Sequence, residues 1–408
     1  LKMEIFPNCK QLIISMYCCS AIGCFPSELF FRNHKYYQRA YSLYGTFMLM
    51  YYVCCVCSFY LELLLNPLNI VFVSGILSIV FINSATLYRQ LMIRFNTRFT
   101  KLVQRVIDME RAIYSIQLPE IVNAYNAFVI KYNTNCKAYL YFILVLALNF
   151  CIRPIFNAPE TTYIGNETIT TKELPFPSWL PFDKQRHYEM AYLITCSQCL
   201  VSACYVSISD IFMCTLIVHP IGLITVFRHV LINFDKLVQI RQNENKSLSL
   251  EDAEYYTFIG IIEWHIKIIE FIDEYNNVMN GVMLFDFLQS SIQVAVIVIQ
   301  FIEVGITPVS LIFVFSYVLS MLFRLVMYYY YGNEVTYLSE RLAYDMWDGH
   351  WFDKQPKVIL MMRLFIMRCQ KSLVYRIGPF GTLSMTALLS LLRTTYSYIM
   401  LLNGFSNE

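Results

Sequence analysis

The sequence predicts an all-α membrane protein with seven transmembrane helices. Of its 408 residues, 57% are hydrophobic and only 15% are charged, whereas soluble domains carry about 25% charged residues. A helix of about 20 apolar residues crosses a bilayer, and the chain contains several apolar runs of this kind. Seven candidate spans occur, at residues 41–65, 69–92, 137–152, 188–218, 281–302, 307–331 and 378–402.

The distribution of positive charge predicts how these spans are oriented. Most Lys and Arg residues, 25 of 31, lie in the four segments that would share one side of the membrane: residues 1–40, 89–137, 219–280 and 332–377. The segments on the other side contain only 4. Because cytoplasmic loops carry the excess of Lys and Arg, we expect a cytoplasmic amino terminus and an extracellular carboxyl terminus.

A glycosylation sequon agrees with this orientation. Asn166-Glu167-Thr168 lies in the loop 153–187, which the charge distribution assigns to the extracellular side. A second sequon, Asn245-Lys246-Ser247, lies in a segment assigned to the cytoplasm and should be unused. We therefore expect glycosylation at Asn166.

The cytoplasmic segments are predicted to be helical. Ser249 and Asp252 form a possible capping box, and apolar residues then recur at helical spacing from Tyr255 to Ile272, so that helix 5 extends well beyond the membrane. Such an apolar stripe needs a partner, in the same chain or in another subunit. A further helix is expected at 357–374, and a short interfacial or re-entrant helix within 12–25.

These expectations define the domain organisation. In order, they predict a cytoplasmic amino-terminal segment (1–40), transmembrane helices 1–4 (41–218) with an extracellular loop (153–187), cytoplasmic helical extensions (219–280), transmembrane helices 5 and 6 (281–331), a cytoplasmic anchor helix (332–377), and helix 7 with an extracellular tail (378–408).

The last span is unusually polar for a transmembrane helix. Several hydroxyl side chains and Arg393 interrupt its apolar run, and polar groups at membrane depth are costly unless they face other helices or water. One interpretation is a helix that faces a central cavity or pore. The other is a bundle helix whose hydroxyls bond their own backbone one turn back.

Several function classes are not supported by the sequence. The net charge of +2 gives no indication of nucleic-acid binding. Cys196 and Cys199 lie in an apolar run without a second pair, so a zinc site is not expected, and no motif indicates an enzyme or a cofactor. The charges within spans, Asp210, Asp286 and Arg324, are expected to be hydrated or to pair with each other.

Three stretches of the chain resemble the insect odorant receptor family. They are Leu284-Phe285-Asp286-Phe287-Leu288-Gln289-Ser290-Ser291, Tyr331-Gly332-Asn333-Glu334-Val335 with 338–347, and Thr394-Thr395-Tyr396-Ser397 before Met400-Leu401-Leu402. The length, the seven spans and the inverted topology are also similar to that family across essentially the whole chain.

This resemblance implies a ligand-gated, non-selective cation channel in the membrane of a sensory neuron. The chain would be the variable odorant-binding subunit of a heterotetramer with a shared coreceptor, because it lacks the long insertion between helices 4 and 5 that is typical of the coreceptor. The cytoplasmic helices would anchor the subunits to each other, and helix 7 would line the pore. The match at Thr395-Tyr396 implies a hydrophobic gate at Ile399, whereas Leu402 departs from the polar residue of the coreceptor pattern.

The implied ligand is a small volatile odorant, held in an apolar pocket between helices. Helical spacing in the outer halves of helices 2, 3, 4 and 6 offers ten candidates, for each of which plain packing is the alternative: Phe72, Ile76, Ile79, Leu146, Phe150, Tyr192, Cys196, Cys199, Phe313 and Tyr317. Other implied partners are membrane lipid and permeant cations.

Other receptor and transport classes remain as alternatives. A seven-helix receptor coupled to a G protein is opposed by the charge distribution, and a secondary transporter by the absence of a visible repeat. A gustatory-receptor-type channel is the nearest related class, but its last-helix pattern keeps a glutamine or glutamate that Leu402 does not supply.

Overall fold

The computed structural model describes residues 7–30, 34–65, 70–156, 160–164, 167–303, 308–347 and 353–406. Within these ranges, it does not describe the side chains of residues 70–72, 74, 160–164, 167–171, 295, 297–303, 308–314, 395 and 398–406.

The described residues form eleven α-helices and one β-hairpin. The elements are α1 (Ile13–Ala21), α2 (Lys35–Leu65), α3 (Ile70–Phe95), α4 (Thr97–Tyr114), α5 (Pro119–Phe156), β1 (Glu160–Ile164), β2 (Glu167–Thr171), α6 (Tyr188–Ile232), α7 (Phe234–Glu244), α8 (Leu250–Glu303), α9 (Pro308–Trp347), α10 (Pro356–Cys369) and α11 (Met385–Ser406).

The seven predicted spans lie in α2, α3, α5, α6, α8, α9 and α11, and most of these helices are longer than a bilayer requires. Helix α8 runs unbroken for 54 residues, as the helical spacing before span 5 predicts. The Ser249 hydroxyl accepts a hydrogen bond from the backbone N–H of Asp252 at 3.1 Å and donates one to its carboxylate at 2.7 Å. These contacts satisfy an N–H group that the helix start leaves without a partner.

Helix α11 begins seven residues later than the predicted start of span 7. Gly378 and Gly381 have φ angles of +50° and +119°, which are left-handed conformations that favour glycine. They shape a turn in which Arg376 and Thr382 form an isolated β-bridge. The helix then starts after Ser384, whose hydroxyl accepts a hydrogen bond from the backbone N–H of Ala387 at 3.3 Å. Hydropathy does not separate this turn from the helix because Phe380 and Leu383 keep it within the same apolar run.

Other boundaries also differ from the sequence predictions. The helix after span 4 breaks at Asn233, whose side chain donates to the carbonyl of His229 at 2.9 Å, a local bond that competes with the helix. Helix α10 ends at Cys369 and does not reach residue 374. The short helix α1 packs against α6, and its Ser15 and the Thr215 hydroxyl of α6 lie 2.8 Å apart.

The loop predicted as extracellular contains the hairpin β1–β2, which the sequence reading did not anticipate. The two strands are antiparallel, with Glu160 paired to Thr171 and Ile164 to Glu167. Threonine and isoleucine dominate both strands, and β-branched residues favour extended conformations. The sequon residue Asn166 lies outside the described residues.

Helix α6 forms the centre of the bundle. It packs against α1, α2, α3, α4, α5, α8 and α9. Its residues 205–224 are all buried. By length and composition, four helical segments of the described part of the chain can cross a membrane: Lys35–Leu65, Gly75–Phe95, Pro119–Phe156 and Tyr188–Ile232. The fold is therefore that of a helical membrane protein.

Candidate ligand cavity and adjacent charge cluster

A cavity of about 100 Å³ lies between helices α3, α5, α6, α8 and α9. Most of its wall is apolar, and a few polar side chains contribute at its edges. The lining residues are Ile79, Ile82, Asn83, Tyr139, Ile143, Leu146, Ala147, Phe150, Phe176, Cys199, Ser202, Ala203, Val206, Gln293, Tyr317, Ser320, Met321 and Arg324. An apolar cavity with a few polar groups is the usual form of a small-molecule site.

Five of the ten residues that the sequence analysis selected for ligand contact line this cavity. They are Ile79, Leu146, Phe150, Cys199 and Tyr317. Their side chains come from α3, α5, α6 and α9. Helical spacing in four separate segments therefore selected residues that line the same cavity. Their role in ligand binding remains a prediction.

The other five candidates do not line the cavity or are not described. Ile76 is 1% exposed and packs in an apolar cluster next to the cavity, which Cys196 also contacts. The Tyr192 hydroxyl donates to the backbone carbonyl of Cys151 at 2.7 Å, a bond that ties α6 to α5. The side chains of Phe72 and Phe313 lie outside the described residues.

Phe176 also lines the cavity, and helical spacing did not select it. It lies in the loop between β2 and α6, and its ring centroid is 5.8 Å from that of Phe150 and 5.3 Å from that of Phe59. The backbone N–H of Trp179 donates to the carbonyl of Ser58 at 3.1 Å and holds this loop against α2. No helical period marks a loop residue, so spacing could not select Phe176.

Two polar side chains of the cavity wall, Asn83 and Ser202, form hydrogen bonds with their neighbours. The amide oxygen of Asn83 accepts from the Tyr52 hydroxyl at 2.9 Å and from the Ser202 hydroxyl at 2.6 Å. Its amide nitrogen donates to the carbonyl of Ile79 at 2.8 Å. A side chain with these partners stabilises the packing of α3 against α2 and α6.

Four charged side chains form a buried cluster next to the cavity: Arg89 on α3, Asp210 on α6, Asp286 on α8 and Arg324 on α9. Arg89 pairs with Asp210 and lies 2.6 Å from Asp286. Arg324 lies 3.2 Å from Asp286 and 3.9 Å from Asp210. Two positive and two negative charges sum to zero, which is the condition under which charges persist inside a bundle.

Neighbouring side chains complete the hydrogen bonding of this cluster. The Tyr139 hydroxyl donates to Asp210 at 2.8 Å, and that of Tyr328 donates to the backbone carbonyl of Asp210 at 3.2 Å. Arg324 also donates to the amide oxygen of Gln289 at 3.1 Å and to the Ser290 hydroxyl at 2.8 Å. The cluster therefore ties four transmembrane helices together.

Part of this cluster was predicted from the sequence. Mutual pairing was one of the two expectations for Asp210, Asp286 and Arg324, and the contacts confirm it. Arg89 was missed because it was counted with the cytoplasmic segment 89–137. The signal was present, since the predicted span 69–92 already includes Arg89, and α3 continues beyond it to Phe95.

The predicted gate residues Thr395, Ile399 and Leu402 belong to helix α11, but their side chains lie outside the described residues. In the same helix, the Thr394 hydroxyl donates to the carbonyl of Ser390 at 2.9 Å, and that of Ser397 to the carbonyl of Arg393 at 3.1 Å. These hydroxyls thus bond their own backbone, as the bundle-helix interpretation expects. Their presence alone does not indicate a pore.

Curated sequences similar to the chain are odorant receptors. Odorant receptor 67c of Drosophila melanogaster is 24% identical over 273 residues, which make up 66% of this chain and 65% of that protein. Odorant receptor 10 of Aedes albopictus is 23% identical over 221 residues, 54% of this chain and 56% of that protein. The matched part of the chain thus spans less than two thirds of the length of these relatives.

Solved structures of an insect olfactory receptor share the fold. The receptor OR5 from Machilis hrabei in complex with eugenol superposes with a TM-score of 0.76 at 11% identity, over 97% of this chain and 98% of that one. A structure of the same receptor described without eugenol gives 0.71 at 12% identity, over 96% and 97%.

A family model decides the classification. The model described as 7tm Odorant receptor matches residues 70–396, which include all the described helices that line the cavity and all four members of the charge cluster. Members of this family are chemoreceptors, not enzymes. The chain belongs to the odorant receptor family.

Proposed function

We propose that this chain is the odorant-binding subunit of a ligand-gated, non-selective cation channel. The observation that carries the proposal is the apolar cavity between α3, α5, α6, α8 and α9, in a chain of the odorant receptor family. The OR5 structure of the same fold is a complex with eugenol. A small volatile molecule with an apolar body is therefore the proposed ligand.

The size of the cavity favours a compact ligand. Its volume of about 100 Å³ is smaller than the roughly 150 Å³ of an engineered protein cavity that binds benzene. A ligand with more than a few heavy atoms must displace side chains when it enters. The ring of Phe150, with its centroid 5.8 Å from Phe176 and 6.1 Å from Tyr317, stands where such a displacement would occur.

Gating would follow from this displacement. A ligand shifts a conformational equilibrium only by its difference in affinity for the two states, and a ligand that needs a wider cavity favours the wider packing. Helix α11 packs against α8 and α9, which also wall the cavity. Movement of these helices would widen a ring formed by Ile399, flanked by Thr395 and Leu402, and a hydrophobic ring conducts when it becomes wetted.

The proposed assembly is a heterotetramer with a coreceptor subunit in the cell membrane, where it also contacts lipid and conducts cations. The amino terminus would be cytoplasmic and the carboxyl terminus extracellular, as the distribution of Lys and Arg favours. Residues 219–280 and 332–377 would then form the cytoplasmic anchor, and the loop 153–187 would be extracellular.

Whole-cell current tests this proposal. Cells that express the chain with a coreceptor, the coreceptor alone, or the chain alone are exposed to eugenol and to a panel of volatile esters, alcohols and ketones. We expect a rapid cation current only when both chains are present, and the current should persist when G-protein signalling is blocked.

The variant Ile399→Ser separates the gate from the pocket. A polar ring should hold water, so we expect a raised basal current with little change in the odorant concentration for half-maximal response. A response that is slow and depends on G proteins, or no response with any ligand, would contradict the channel proposal. An unchanged basal current in Ile399→Ser would contradict the gate assignment alone.

A further inference from the structure

Three cysteines from two helices meet next to the cavity. Cys151 lies on α5, and Cys196 and Cys199 lie on α6. The Cys151 thiol is hydrogen-bonded to the thiols of both others. Cys151 and Cys199 are buried in one apolar cluster, against which Cys196 packs. Cys199 also lines the cavity. We call these three residues the thiol cluster.

Two hydrogen bonds fix how α5 and α6 lie against each other at the thiol cluster. The Tyr192 hydroxyl donates to the carbonyl of Cys151 at 2.7 Å, and the Cys199 thiol donates to the carbonyl of Ala147 at 3.8 Å. Tyr192 and Cys199 are two turns apart on α6, whereas Ala147 and Cys151 are one turn apart on α5. Cys151 is therefore held between the two bonds, where it faces the stretch of α6 that carries Cys196 and Cys199.

The contact between these helices has the dimensions of a disulfide. Small side chains let two helices approach closely, and at the usual packing distances facing Cα atoms come to about 5 Å. A disulfide joins Cα atoms that are about 4.4–6.8 Å apart. The small residues at this contact are Ala147, Cys151, Cys199 and Ala203. A bond between Cys151 and Cys199 therefore requires little movement of either helix.

The thiol cluster lies near one end of α5. Cys151 is two residues before Arg153, which lies 3.6 Å from Glu173, and these two side chains are 30% and 39% exposed. Glu173 belongs to the loop 153–187, which is extracellular in the proposed orientation. Extracellular compartments are oxidising, and disulfides persist in them. Cys151 is thus within one helical turn of the side on which thiols are oxidised.

We propose that Cys151 and Cys199 are an oxidisable pair, and that their disulfide locks α5 to α6 beside the cavity. The oxidant is a small disulfide, RSSR. One cysteine thiolate attacks RSSR, forms a mixed disulfide and releases RS⁻; the other then attacks the sulfur of the first cysteine and releases the second RS⁻. The two released thiolates take up the two protons that the cysteines lost. Two protein thiols and RSSR thus become one protein disulfide and two RSH.

The disulfide restricts the wall of the cavity. Ala147 on α5 and Cys199 on α6 both line it, and a ligand larger than the cavity must displace the walls when it enters. A covalent bond between the two helices opposes this displacement, so the oxidised chain requires a higher concentration of a bulky ligand. This consequence rests on the proposed function, whereas formation of the bond does not.

Mass spectrometry of the full chain tests the bond. The chain is purified in detergent and incubated with bis(2-hydroxyethyl) disulfide, its free thiols are alkylated under denaturing conditions, and cross-linked peptides are identified after digestion. We expect a Cys151–Cys199 cross-link that dithiothreitol removes, while Cys55, a buried thiol of the same apolar cluster, is alkylated. The matched control Cys196→Ala should keep the cross-link. A cross-link between Cys151 and Cys196, or none, would overturn the proposal.

Odorant-evoked current tests the consequence for the ligand. Cells that express the chain with a coreceptor are exposed to eugenol before and after the same disulfide, and again after dithiothreitol. We expect the concentration for half-maximal current to rise roughly fivefold or more, which is the size of a typical coupling between two sites, and to return after reduction. Cys196→Ala should behave like the wild-type chain, whereas Cys151→Ala should not respond to the oxidant.

The two readouts separate this proposal from the proposed function. A rise that persists in Cys151→Ala would come from other cysteines and would overturn the effect on the ligand. If Cys151→Ala does not fold, the cross-linked peptides of the wild-type chain still decide whether the bond forms. A cross-link in a chain that gives no current with any ligand would support the bond and contradict the channel proposal alone.

Discussion

Arg89 on α3 and Asp286 on α8 lie 2.6 Å apart, although 197 residues separate them in the chain. Because Arg89 also pairs with Asp210 on α6, one guanidinium links three helices inside the bundle. Removing one partner of a buried pair leaves the other charge uncompensated, which typically costs about 3–5 kcal/mol. The stability of the bundle should therefore depend strongly on these residues.

A double-mutant cycle on the first pair measures this dependence. We expect Arg89→Met alone, and Asp210→Leu alone, each to destabilise the chain by about 3–5 kcal/mol. The double variant leaves the neutral pair Arg324–Asp286, 3.2 Å apart, so its loss should be clearly smaller than the sum of the two. Thermal unfolding of the purified chain is the measurement.

The matched control is an ion pair at the surface. Arg105 and Glu274 lie 3.0 Å apart with side chains 44% and 25% exposed, and exposed pairs contribute about 1 kcal/mol or less. Arg105→Met should therefore have little effect. Additive losses in the Arg89 and Asp210 cycle would show that the two residues act independently, against the contact seen here.

A second prediction concerns Glu110, which is fully buried on α4. Its carboxylate accepts hydrogen bonds from the backbone N–H groups of Lys10 and Gln11, at 2.6 and 3.2 Å, and from the Tyr125 hydroxyl at 3.1 Å. The Cys9 thiol also donates to it at 2.9 Å. We expect Glu110→Ala to leave these donors unsatisfied and to release residues 7–30 from the bundle, at a cost of at least about 2 kcal/mol.

Hydrogen exchange of residues 7–30 checks this prediction. We expect these residues to exchange faster in Glu110→Ala than in the wild-type chain. We also expect Cys9 to be alkylated in the variant. In the wild-type chain, burial is the main cause that raises the pKa of the Cys9 thiol. Asp108→Asn, an exposed substitution one half-turn away on α4, is the control and should leave exchange unchanged. Unchanged protection in Glu110→Ala would mean that apolar packing alone holds the segment.

The helices of this protein could be predicted from sequence better than their ends. Apolar runs and helical spacing locate α8 because burial selects residues on one face of a helix, and Ser249 marks its start. The start of α11 could not be located this way, since Phe380 and Leu383 keep the stretch before it within the same apolar run. What distinguishes this stretch is the left-handed backbone at Gly378 and Gly381, which hydropathy does not report.

The cavity was only partly predictable for a related reason. Helical spacing selected residues such as Ile79 and Tyr317 because they repeat along one face of a helix. Phe176 reaches the cavity from a loop, and Arg324 depends on partners from two other helices, α6 and α8. Contacts of that kind depend on how the helices pack against each other. The spacing of apolar residues along a single helix carries no information about this packing.

A third prediction is a loss of stability in mild acid through His265 on α8. Burial first, and the Arg368 guanidinium second, lower its pKa to about 4. The neutral ring packs with centroids 5.0 Å from Phe365 and 5.7 Å from Phe227, and its Nε2 lies 3.9 Å from the Cys369 sulfur. Protonation would place a charge among these rings.

The sign follows from proton linkage. Because the folded-state pKa is below the unfolded value of about 6.5, unfolding takes up a proton between these values. The stabilisation from the neutral ring is complete above about pH 6.5 and is lost as the pH falls toward 4. At pH 5 the loss should be about 2 kcal/mol.

The variant His265→Leu tests this assignment, since leucine keeps an apolar contact with Phe227 and Phe365 and does not titrate. We expect the decrease in melting temperature between pH 7.5 and pH 5 to be smaller in the variant than in the wild-type chain. Parallel decreases in the two proteins would assign the acid sensitivity to other groups.

A fourth prediction concerns the size of the ligand. Phe150→Ala should enlarge the cavity at the ring that contacts Phe176 and Tyr317. We expect the concentration for half-maximal current to fall for bulkier ligands relative to compact ones, by roughly tenfold, which is within the range that a change in fit to an apolar pocket gives. Phe156→Ala, at an exposed position of the same helix, is the control. If both variants changed the preference equally, Phe150 would have no specific role in the cavity.

The final prediction tests the orientation of the chain through its two sequons. If the loop 153–187 is extracellular, Asn166 is accessible to glycosylation, and the wild-type chain should lose mass on treatment with peptide N-glycosidase. Asn166→Gln should abolish this shift, whereas Asn245→Gln should leave it unchanged, because residues 219–280 would be cytoplasmic. A shift that depended on Asn245 would invert the topology and move the proposed anchor outside the cell. The Arg and Lys distribution, 25 residues against 4, favours the first result, since the positive-inside bias acts on short loops such as those in this chain.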